Sequence, residues 1–254
     1  MNRDNFDCNF YNIEELVSRD TENNLPPKSK FIPKQPCRML VSGQSGSGKT
    51  CAVIQMILHH LHCERLYVCS KHLDNDRKYD LLKSRLEEQD SLVNKRLNKK
   101  KMTEFENLHT TIQCWTTDID DFVTLENLDE NYINVVLFDD LVCLSKKKQK
   151  EISEFFVRGR HRNCTVFYLT QSFYQVPRLI RLNCGHFMLF NSACDTEIKR
   201  ICKEVCSGID NKEFCKLFKA GTTDYNFFFI DTTAKNKNFR FRKNLNGIDL
   251  VDNV

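Results

Sequence analysis

Glycine is scarce in this sequence, with eight residues among 254, and proline is scarcer still, with five. Three of the eight glycines lie between positions 43 and 48. Because glycine loses more conformational freedom on folding than any other residue, this concentration indicates a backbone that adopts positive φ angles and approaches a ligand closely. A hydrophobic content of 41% is sufficient for a core, and low-complexity segments are absent, so the composition excludes a disordered chain.

Long apolar runs are also missing. No run approaches the roughly 18 residues of a membrane-spanning helix, and no signal-peptide pattern is present, so we expect a protein without a membrane span. The net charge is only +4, which excludes a strongly basic chain. A nucleic-acid partner is permitted, but it would have to bind local patches, for which the candidates are residues 96–101, 158–162 and 235–243.

The glycine cluster belongs to residues 38–50, in which a short apolar run leads into G-x-x-x-x-G-K-T and a helical pattern follows. This is the phosphate-binding P-loop, or Walker A element, in the strand–loop–helix context that it requires. Lys49 is expected to reach the β- and γ-phosphates, and the Thr50 hydroxyl is expected to bind Mg²⁺, so the predicted cofactors are ATP and Mg²⁺. The residues predicted to bind the nucleotide are Gly43, Gln44, Ser45, Gly46, Ser47, Gly48, Lys49, Thr50 and Cys51.

A second informative stretch, residues 134–140, is an apolar run that ends in two acids. It predicts a central strand of a parallel sheet, buried on both faces, with its carboxylates at the C-terminal edge where ligands bind. Asp139 is placed to hold Mg²⁺ opposite Thr50. Asp140 would be the base or orienting group for an attacking water, and the alternative is that it only caps the turn after the strand.

The rest of the chain alternates strand and helix patterns, which predicts an α/β fold with a mostly parallel central sheet flanked by helices and a C-terminal edge hairpin. We predict an N-terminal arm over residues 1–36, a P-loop ATPase domain over 37–245 and a tail over 246–254. Phe31, the aromatic residue nearest the P-loop, could contact the adenine or a neighbouring molecule, the alternative being a plain linker. The predicted strands are 38–42, 65–69, 112–115, 134–140, 165–170, 186–190, 226–231 and 238–242, and the predicted helices are a segment after the P-loop, 74–108, 146–157, 195–206 and 210–219.

Two strands precede the acidic strand after the P-loop, which is typical of hydrolases with an additional strand between the Walker elements. Gln171 follows the strand 165–170 directly, and from there its amide can bond the γ-phosphate or the lytic water without carrying charge. Arg158, Arg160 and Arg162 precede the same strand and so lie near the opposite edge from Gln171. Such arginines can complete the site of a neighbouring subunit, and the alternative is a loop that contacts DNA phosphates or solvent.

Arg178 and Arg181 are further candidates, either for the same role in a neighbouring site or for coupling Gln171 to a moving loop. The thirteen cysteines show no disulfide spacing, and an odd number beside a P-loop predicts a reducing compartment. Several of them lie in apolar patterns, where a free cysteine acts as a small hydrophobic residue; these are Cys51, Cys69, Cys114 and Cys164.

Five segments, in order and with spacing intact, resemble the FtsK/HerA superfamily and, more narrowly, the genome-packaging ATPases of poxvirus-type, virophage and polinton-like double-stranded DNA viruses. The resemblance covers about residues 38–190. It departs from the superfamily at Asp139-Asp140, where Asp-Glu is often found. The segments are Gly43 to Thr50, Leu137-Phe138-Asp139-Asp140-Leu141, Arg158-Gly159-Arg160-His161-Arg162-Asn163, Tyr168-Leu169-Thr170-Gln171-Ser172, and Val176-Pro177 with Ile180-Arg181 and Asn183.

The resemblance implies a RecA-like motor domain that forms a hexameric or pentameric ring, hydrolyses ATP between subunits and translocates double-stranded DNA into a capsid. In that family a glutamine after the fourth core strand senses phosphate, which matches Gln171. An arginine upstream of that strand acts in trans, which best matches Arg160. The implied partners are double-stranded DNA, further copies of the chain and capsid proteins, and the implied location is the host cytoplasm or nucleus during virus assembly, or the virion.

Two other classes of function also use a P-loop. A nucleoside or small-molecule kinase usually carries an arginine-rich lid, which the sequence does not offer, and it would leave Gln171 without a task. A nucleotide-dependent assembly scaffold would bind ATP without hydrolysing it, and the Asp139-Asp140 pair together with Gln171 argues against that reading.

Overall fold

The computed structural model describes residues 31–97, 110–191, 195–206, 208–223, 225–234 and 239–245, and eight strands within these ranges form one sheet. Most of the predicted arm, most of the patch at 96–101 and the predicted tail lie outside them. The strands are β1 (Arg38–Ser42), β2 (Arg65–Ser70), β3 (Thr111–Thr116), β4 (Asn134–Asp139), β5 (Cys164–Thr170), β6 (His186–Leu189), β7 (Phe228–Asp231) and β8 (Phe241–Lys243).

Six α-helices accompany the sheet in the described part of the chain. Helix α1 passes directly into a π-helical turn at Met56–His60, and four short 3₁₀ segments lie at Ile119–Asp121, Leu125–Asn127, Gly159–Arg162 and Phe173–Gln175. The helices are α1 (Lys49–Gln55), α2 (Arg77–Leu97), α3 (Lys146–Arg158), α4 (Arg178–Asn183), α5 (Asp195–Val205) and α6 (Asn211–Gly221).

The sheet order is β3-β2-β4-β5-β1-β6-β7-β8, with parallel pairing from β3 to β6 and antiparallel pairing from β6 to β8. This confirms the predicted fold class, including the edge hairpin. The strand between the P-loop strand β1 and the acidic strand β4 is β5, which follows both in sequence. The additional strand is therefore also the strand that leads to Gln171.

The central strands are buried along their whole length because both faces of the sheet are covered. Every residue of β4 and β5 is buried, and both are rich in β-branched and aromatic residues, as expected for parallel strands under two helical layers. Alternate residues point to opposite faces, so Val136 and Phe138 belong to one core and Val135 and Leu137 to the other. Helices α3, α5 and α6 cover the first core, and α1 and α2 cover the second.

The strand positions were predicted closely, and the helix of residues 74–108 begins at Arg77. Cys69 and Cys164 are buried as expected, but Cys51 is exposed because it lies on the open side of the first turn of α1. No helix among the described residues is long and apolar enough to cross a membrane.

Near the hairpin, the structure disfavours one alternative for Phe31 and one residue of the predicted patch 235–243. Phe31 lies at the N-terminal edge of the sheet, opposite the P-loop, where its ring is 6.3 Å from that of Phe239 and its carbonyl accepts a hydrogen bond from Arg242 Nη1 at 2.6 Å. It therefore cannot contact the adenine of its own subunit. Arg242 belongs to the predicted basic patch 235–243, yet it is 3% exposed and points inward over the Phe229 ring. Pairing with buried groups removes it from any DNA-facing surface.

Candidate functional site

The P-loop leaves β1 at the C-terminal edge of the sheet, and the N–H of Gly43 donates to the Thr170 carbonyl at 3.2 Å. Gly46 and Gly48 have φ angles of 76° and 100°, in the left-handed region that favours glycine. A Cβ at Gly43 would lie 2.4 Å from the Phe190 Cβ, so a side chain there would displace the loop. The positive φ angles are as predicted, and the close packing of Gly43 against Phe190 is an additional role of this glycine cluster.

Lys49 and Ser47 supply the polar interior of this loop. The Lys49 ammonium is buried and donates to the carbonyls of Gly43 and Gln44 at 2.6 and 2.7 Å. Burial lowers the pKa of Lys49, and the carboxylates of Asp139 and Asp140 oppose that shift. The Ser47 hydroxyl is buried and has no hydrogen-bond partner among the described residues. A buried hydroxyl without a partner, in a loop that also contains a buried cation, fits a phosphate oxygen as the missing acceptor.

Asp139 ends β4 and is 7% exposed. Its Oδ2 atom accepts a hydrogen bond from the Tyr79 hydroxyl at 2.5 Å and lies 3.5 Å from Thr50 Oγ1. Burial raises the pKa of Asp139, while the Tyr79 hydrogen bond and the Lys49 charge lower it. A carboxylate and a hydroxyl at this spacing are hard oxygen donors, which suit Mg²⁺ bound through few protein ligands and substrate phosphates. Among the described residues, no group of three His, Cys, Asp or Glu side chains forms an all-protein metal cage.

Asp140 adopts an uncommon backbone conformation, with a φ angle of 55°. Its N–H donates to the Leu169 carbonyl at 3.1 Å, and its Oδ2 lies 3.2 Å from His72 Nε2. The left-handed conformation turns this carboxylate out of the strand and into the cleft beside the P-loop. A non-glycine residue at positive φ is frequent at functional sites, where the surrounding structure holds it in place.

A cleft of about 300 Å³ lies at this edge of the sheet. It brings together five residues that the sequence singled out, namely Lys49 and Thr50 at the start of α1, Asp139 and Asp140 at the end of β4, and Gln171 after β5. The rest of its lining is Ser45, Gly46, His72, Asn75, Asp76, Lys78 and Thr170. The Gln171 side chain is exposed at the end of β5, and the cleft is within its reach. The convergence predicted from strand ends is therefore present in the folded chain.

Two residues that contact the acids of this site were not singled out from the sequence. His72 follows β2 and faces Asp140, whereas Tyr79 lies in the first turn of α2 and donates its hydroxyl proton to Asp139. The Tyr79 ring is buried against Trp115, with ring centroids 5.9 Å apart, so Tyr79 serves both the core and the site. The available signal was the position of both residues after β2, because β2 pairs with β4 and ends at the same edge.

The arginines of residues 158–162 lie at the opposite, N-terminal edge, as predicted. Arg158 pairs with Glu154 and Glu126, each at 2.8 Å, and Arg162 pairs with Glu130 at 3.1 Å. Arg160 is exposed and has no acidic partner among the described residues. It lies close to Arg38. Burial lowers the pKa of Arg38, and the charge of Arg160 lowers it further. An unpaired guanidinium beside a second cation is a site for an anion.

Arg181 is not available to a neighbouring subunit. Its guanidinium makes two bonds to Glu204, at 2.7 and 3.3 Å, and donates to the Val176 carbonyl at 2.5 Å. It also lies over the rings of Phe173 and Tyr174. These contacts fix the loop that follows Gln171, which favours the alternative role in positioning that loop and disfavours a role in trans. Arg178 is exposed at the start of α4 and stays a candidate.

Comparisons with known proteins gave a match to one sequence family and matches to solved structures. The sequence profile of a family described as Poxvirus A32 protein matches residues 28–231. Among solved structures, B204, the DNA-packaging ATPase from Sulfolobus Turreted Icosahedral Virus, superposes with a TM-score of 0.52 at 15% identity, covering 79% of this chain and 94% of B204. The AMP complex of the genome packaging NTPase B204 from Sulfolobus turreted icosahedral virus 2 gives 0.50 at 14% identity, with the same coverage. Comparison with curated protein sequences gave no match.

Proposed function

The chain belongs to the poxvirus A32 protein family, and from this premise we propose that it is an ATP-hydrolysing motor that moves double-stranded DNA into a capsid. The observation that carries the proposal is the convergence of Lys49, Thr50, Asp139, Asp140 and Gln171 on one cleft. A P-loop alone would support nucleotide binding. A P-loop facing two acids and an uncharged amide supports hydrolysis, because it can hold phosphates, a metal and a positioned water together.

Each residue of the cleft has a task in this proposal. Lys49 leaves the carbonyls of Gly43 and Gln44 to bind the β- and γ-phosphates, and Thr50 and Asp139 hold Mg²⁺. The metal, when bound, neutralises charge that develops on the transferred phosphoryl group. Asp140 accepts the proton of the attacking water or orients that water, and Gln171 hydrogen-bonds the γ-phosphate. His72 holds the Asp140 carboxylate in the cleft at 3.2 Å.

The proposed assembly is a ring of five or six subunits in which Arg160 completes the site of the next subunit. Support comes from its position at the edge opposite the cleft, its exposure and its lack of an acidic partner among the described residues. A guanidinium that reaches the γ-phosphate from outside stabilises the charge of the transition state, and this contribution is typically worth about 10³-fold or more in turnover. Arg158 and Arg162 are already neutralised by surface glutamates and are less suited to that role.

Double-stranded DNA is the proposed substrate of the motor. B204, which shares this fold, is described as a DNA-packaging ATPase. Within the described parts of the predicted patches, Arg158, Arg162 and Arg242 have acidic partners. DNA contact would therefore depend on the remaining cations of the predicted patches and on the ring, which repeats each cation once per subunit.

The test is ATP turnover by the full chain with and without long double-stranded DNA, at about 50 and 200 mM salt, because DNA affinity carried by phosphate contacts falls steeply over that range. We expect stimulation by DNA that weakens at the higher salt, with Lys49→Ala as the inactive control. Phosphoryl transfer to a nucleoside without DNA stimulation would favour a kinase. ATP-dependent assembly without phosphate release would favour a scaffold.

A further inference from the structure

Two pockets flank the P-loop on the side away from the acids. The larger, about 380 Å³, lies along the first turns of α1 and is lined there by Gly48, Cys51 and Gln55. The smaller, about 310 Å³, follows the loop itself from Gln44 to Ser47. Both lie next to β6 and β7, whereas Asp139 is on β4 across β1 and β5. Their volumes fall at the lower end of the roughly 300–1,000 Å³ range that is typical of small-molecule sites.

Tyr225 lines both pockets and is presented in an unusual way. It is 84% exposed and has a φ angle of 62°, a conformation that is rare for a bulky residue. A turn holds it there: the N–H and side-chain amide of Asn226 donate to the Thr223 carbonyl at 3.0 and 2.6 Å. An exposed aromatic ring kept at positive φ by its neighbours suggests a functional constraint rather than a packing requirement.

The floor of the larger pocket is aromatic and is tied to the P-loop. The rings of Phe190 and Phe227 lie 5.4 Å apart, and Phe190 contacts the positions where Gly43 and Gly48 lack a Cβ. The side of the pocket towards β8 is closed by Asn244, whose Oδ1 accepts the Phe227 N–H at 3.0 Å and whose amide donates to Asn226 Oδ1 at 2.5 Å. These two amides hold the turn together, so aromatic surface is the main attraction that the pocket offers to a ligand.

The pockets lie on the opposite side of the P-loop from the cleft, and this position points to the nucleoside of ATP as their ligand. A triphosphate whose γ-end faces Asp139 and Gln171 runs back through the loop, and its nucleoside emerges on the opposite side, over the first turn of α1. That side contains the pockets. We propose that the base of ATP binds in the larger pocket and stacks on the ring of Tyr225, with Phe190 and Phe227 beneath it. This proposal depends on the nucleotide site proposed above. Stacking on an aromatic side chain is a strong attraction for any base.

The test separates the base from the phosphates. Equilibrium binding of ATP and of inorganic tripolyphosphate is measured by calorimetry on the wild-type chain, Tyr225→Ala and Tyr225→Phe. Tyr225→Ala should weaken ATP binding by about 10-fold, within the range seen when one stacking ring is removed, and should leave tripolyphosphate binding unchanged. Tyr225→Phe should bind ATP like the wild type. The matched control is Tyr132→Ala, since Tyr132 is 38% exposed near the start of β2, beneath the Arg65 guanidinium, at the other edge of the sheet.

Equal ATP affinity in Tyr225→Ala and the wild type would overturn the assignment. Equal weakening of ATP and tripolyphosphate would also overturn it, because the ring would then support the P-loop rather than contact the base. A chain that binds ATP through Tyr225 but shows no DNA-stimulated turnover would contradict the motor proposal and leave the base site supported.

Discussion

The two edges of the sheet each hold an aspartate, Asp139 buried and Asp231 partly buried, and the pKa values of the two are shifted in opposite directions. At the C-terminal edge, burial raises the pKa of Asp139, and the Tyr79 hydrogen bond does not offset it. At the N-terminal edge, burial also acts to raise the pKa of Asp231, but hydrogen bonds from His186 and Thr233 and the charge of His186 outweigh it and hold the pKa at about 2. Arg242 Nη2 lies 3.8 Å from Asp231 Oδ2.

The different pKa shifts of Asp139 and Asp231 distinguish a carboxylate that serves function from one that serves stability. The charge of Asp139 is incompletely satisfied within the chain, as expected for a group that is completed by a metal and a nucleotide. The charge of Asp231 is satisfied by its own fold. The cations differ in the opposite sense. At the C-terminal edge Lys49 is enclosed by the P-loop, whereas at the N-terminal edge Arg160 is exposed and has no acidic partner among the described residues. In the proposed ring, the two edges would complement each other between subunits rather than within one.

The largest expected effect comes from Arg160→Ala. If Arg160 completes a neighbouring site, DNA-stimulated ATP turnover should fall by about 10³-fold, with a much smaller change in ATP affinity. The matched control is Arg158→Ala, which removes an exposed cation already paired with two glutamates and should change turnover by only a few-fold. Steady-state phosphate release measures both. Full turnover in Arg160→Ala, or an equal loss of turnover in Arg158→Ala, would contradict the role of Arg160 in a neighbouring site.

Asp139→Asn should lower turnover by roughly 10²- to 10³-fold while raising the thermal unfolding midpoint of the nucleotide-free chain at pH 7. The unfolding midpoint should rise because the pKa of Asp139 is raised in the folded state. Above the unfolded pKa of about 3.9, the ionised Asp139 carboxyl therefore destabilises the folded chain, and the uncharged asparagine side chain removes that cost. Turnover assays and thermal melts check the two parts. A lower unfolding midpoint would show that the Asp139 charge supports the fold, as the Asp231 charge does.

Tyr79→Phe tests whether the hydroxyl positions the metal ligand. The ring packing against Trp115 is retained, and only the hydrogen bond to Asp139 is lost. We expect the Mg²⁺ concentration for half-maximal turnover to rise about 10-fold, because outer-sphere partners of metal ligands typically contribute that much. Tyr168→Phe is the control, since its buried hydroxyl donates to Gln149 on the other core face. An unchanged Mg²⁺ requirement in Tyr79→Phe would reduce the residue to a packing role.

The smallest effect concerns stability alone. Because the folded pKa of Asp231 is about 2, below its reference value of 3.8, its contribution is present above about pH 4 and is lost as the pH falls from 4 to 2. We expect the free energy of unfolding to fall by about 2 kcal/mol across that window. Asp231→Asn should lose a similar amount at pH 7 and flatten the pH dependence. Chemical denaturation at a series of pH values measures this free energy. If it depends on pH in Asp231→Asn as it does in the wild type, the stabilising role of Asp231 is contradicted.

The sequence was sufficient for the parts of the site that follow strand ends. The P-loop, Asp139, Asp140 and Gln171 each terminate a recognisable strand, and parallel strands place their ends at one edge, so their meeting was predictable. The order of strands was not predictable from local patterns, because β5 enters the sheet between two strands that precede it. The pairing of β2 with β4 is equally non-local and places α2 beside β4, which is why the Tyr79 hydroxyl was missed.

Other omissions concern pairing and turn conformation. The pairing of Arg181 with Glu204 joins residues 23 positions apart across two helices, and the inward turn of Arg242 depends on Asp231 on the adjacent strand. Neither partner is marked by spacing in the sequence. Tyr225 was overlooked because turns with positive φ are expected at glycine or asparagine, and hydrogen bonds from Asn226 override that preference here.

The most direct test of the account mixes two inactive proteins. Lys49→Ala and Arg160→Ala chains are combined in equal amounts, allowed to reassemble, and assayed for DNA-stimulated ATP turnover. About a quarter of the head-to-tail interfaces would then join an intact Lys49 to an intact Arg160. We predict turnover well above that of either variant alone, because each chain supplies the edge that the other lacks. A mixture no more active than the sum of the separate variants would contradict a site shared between subunits.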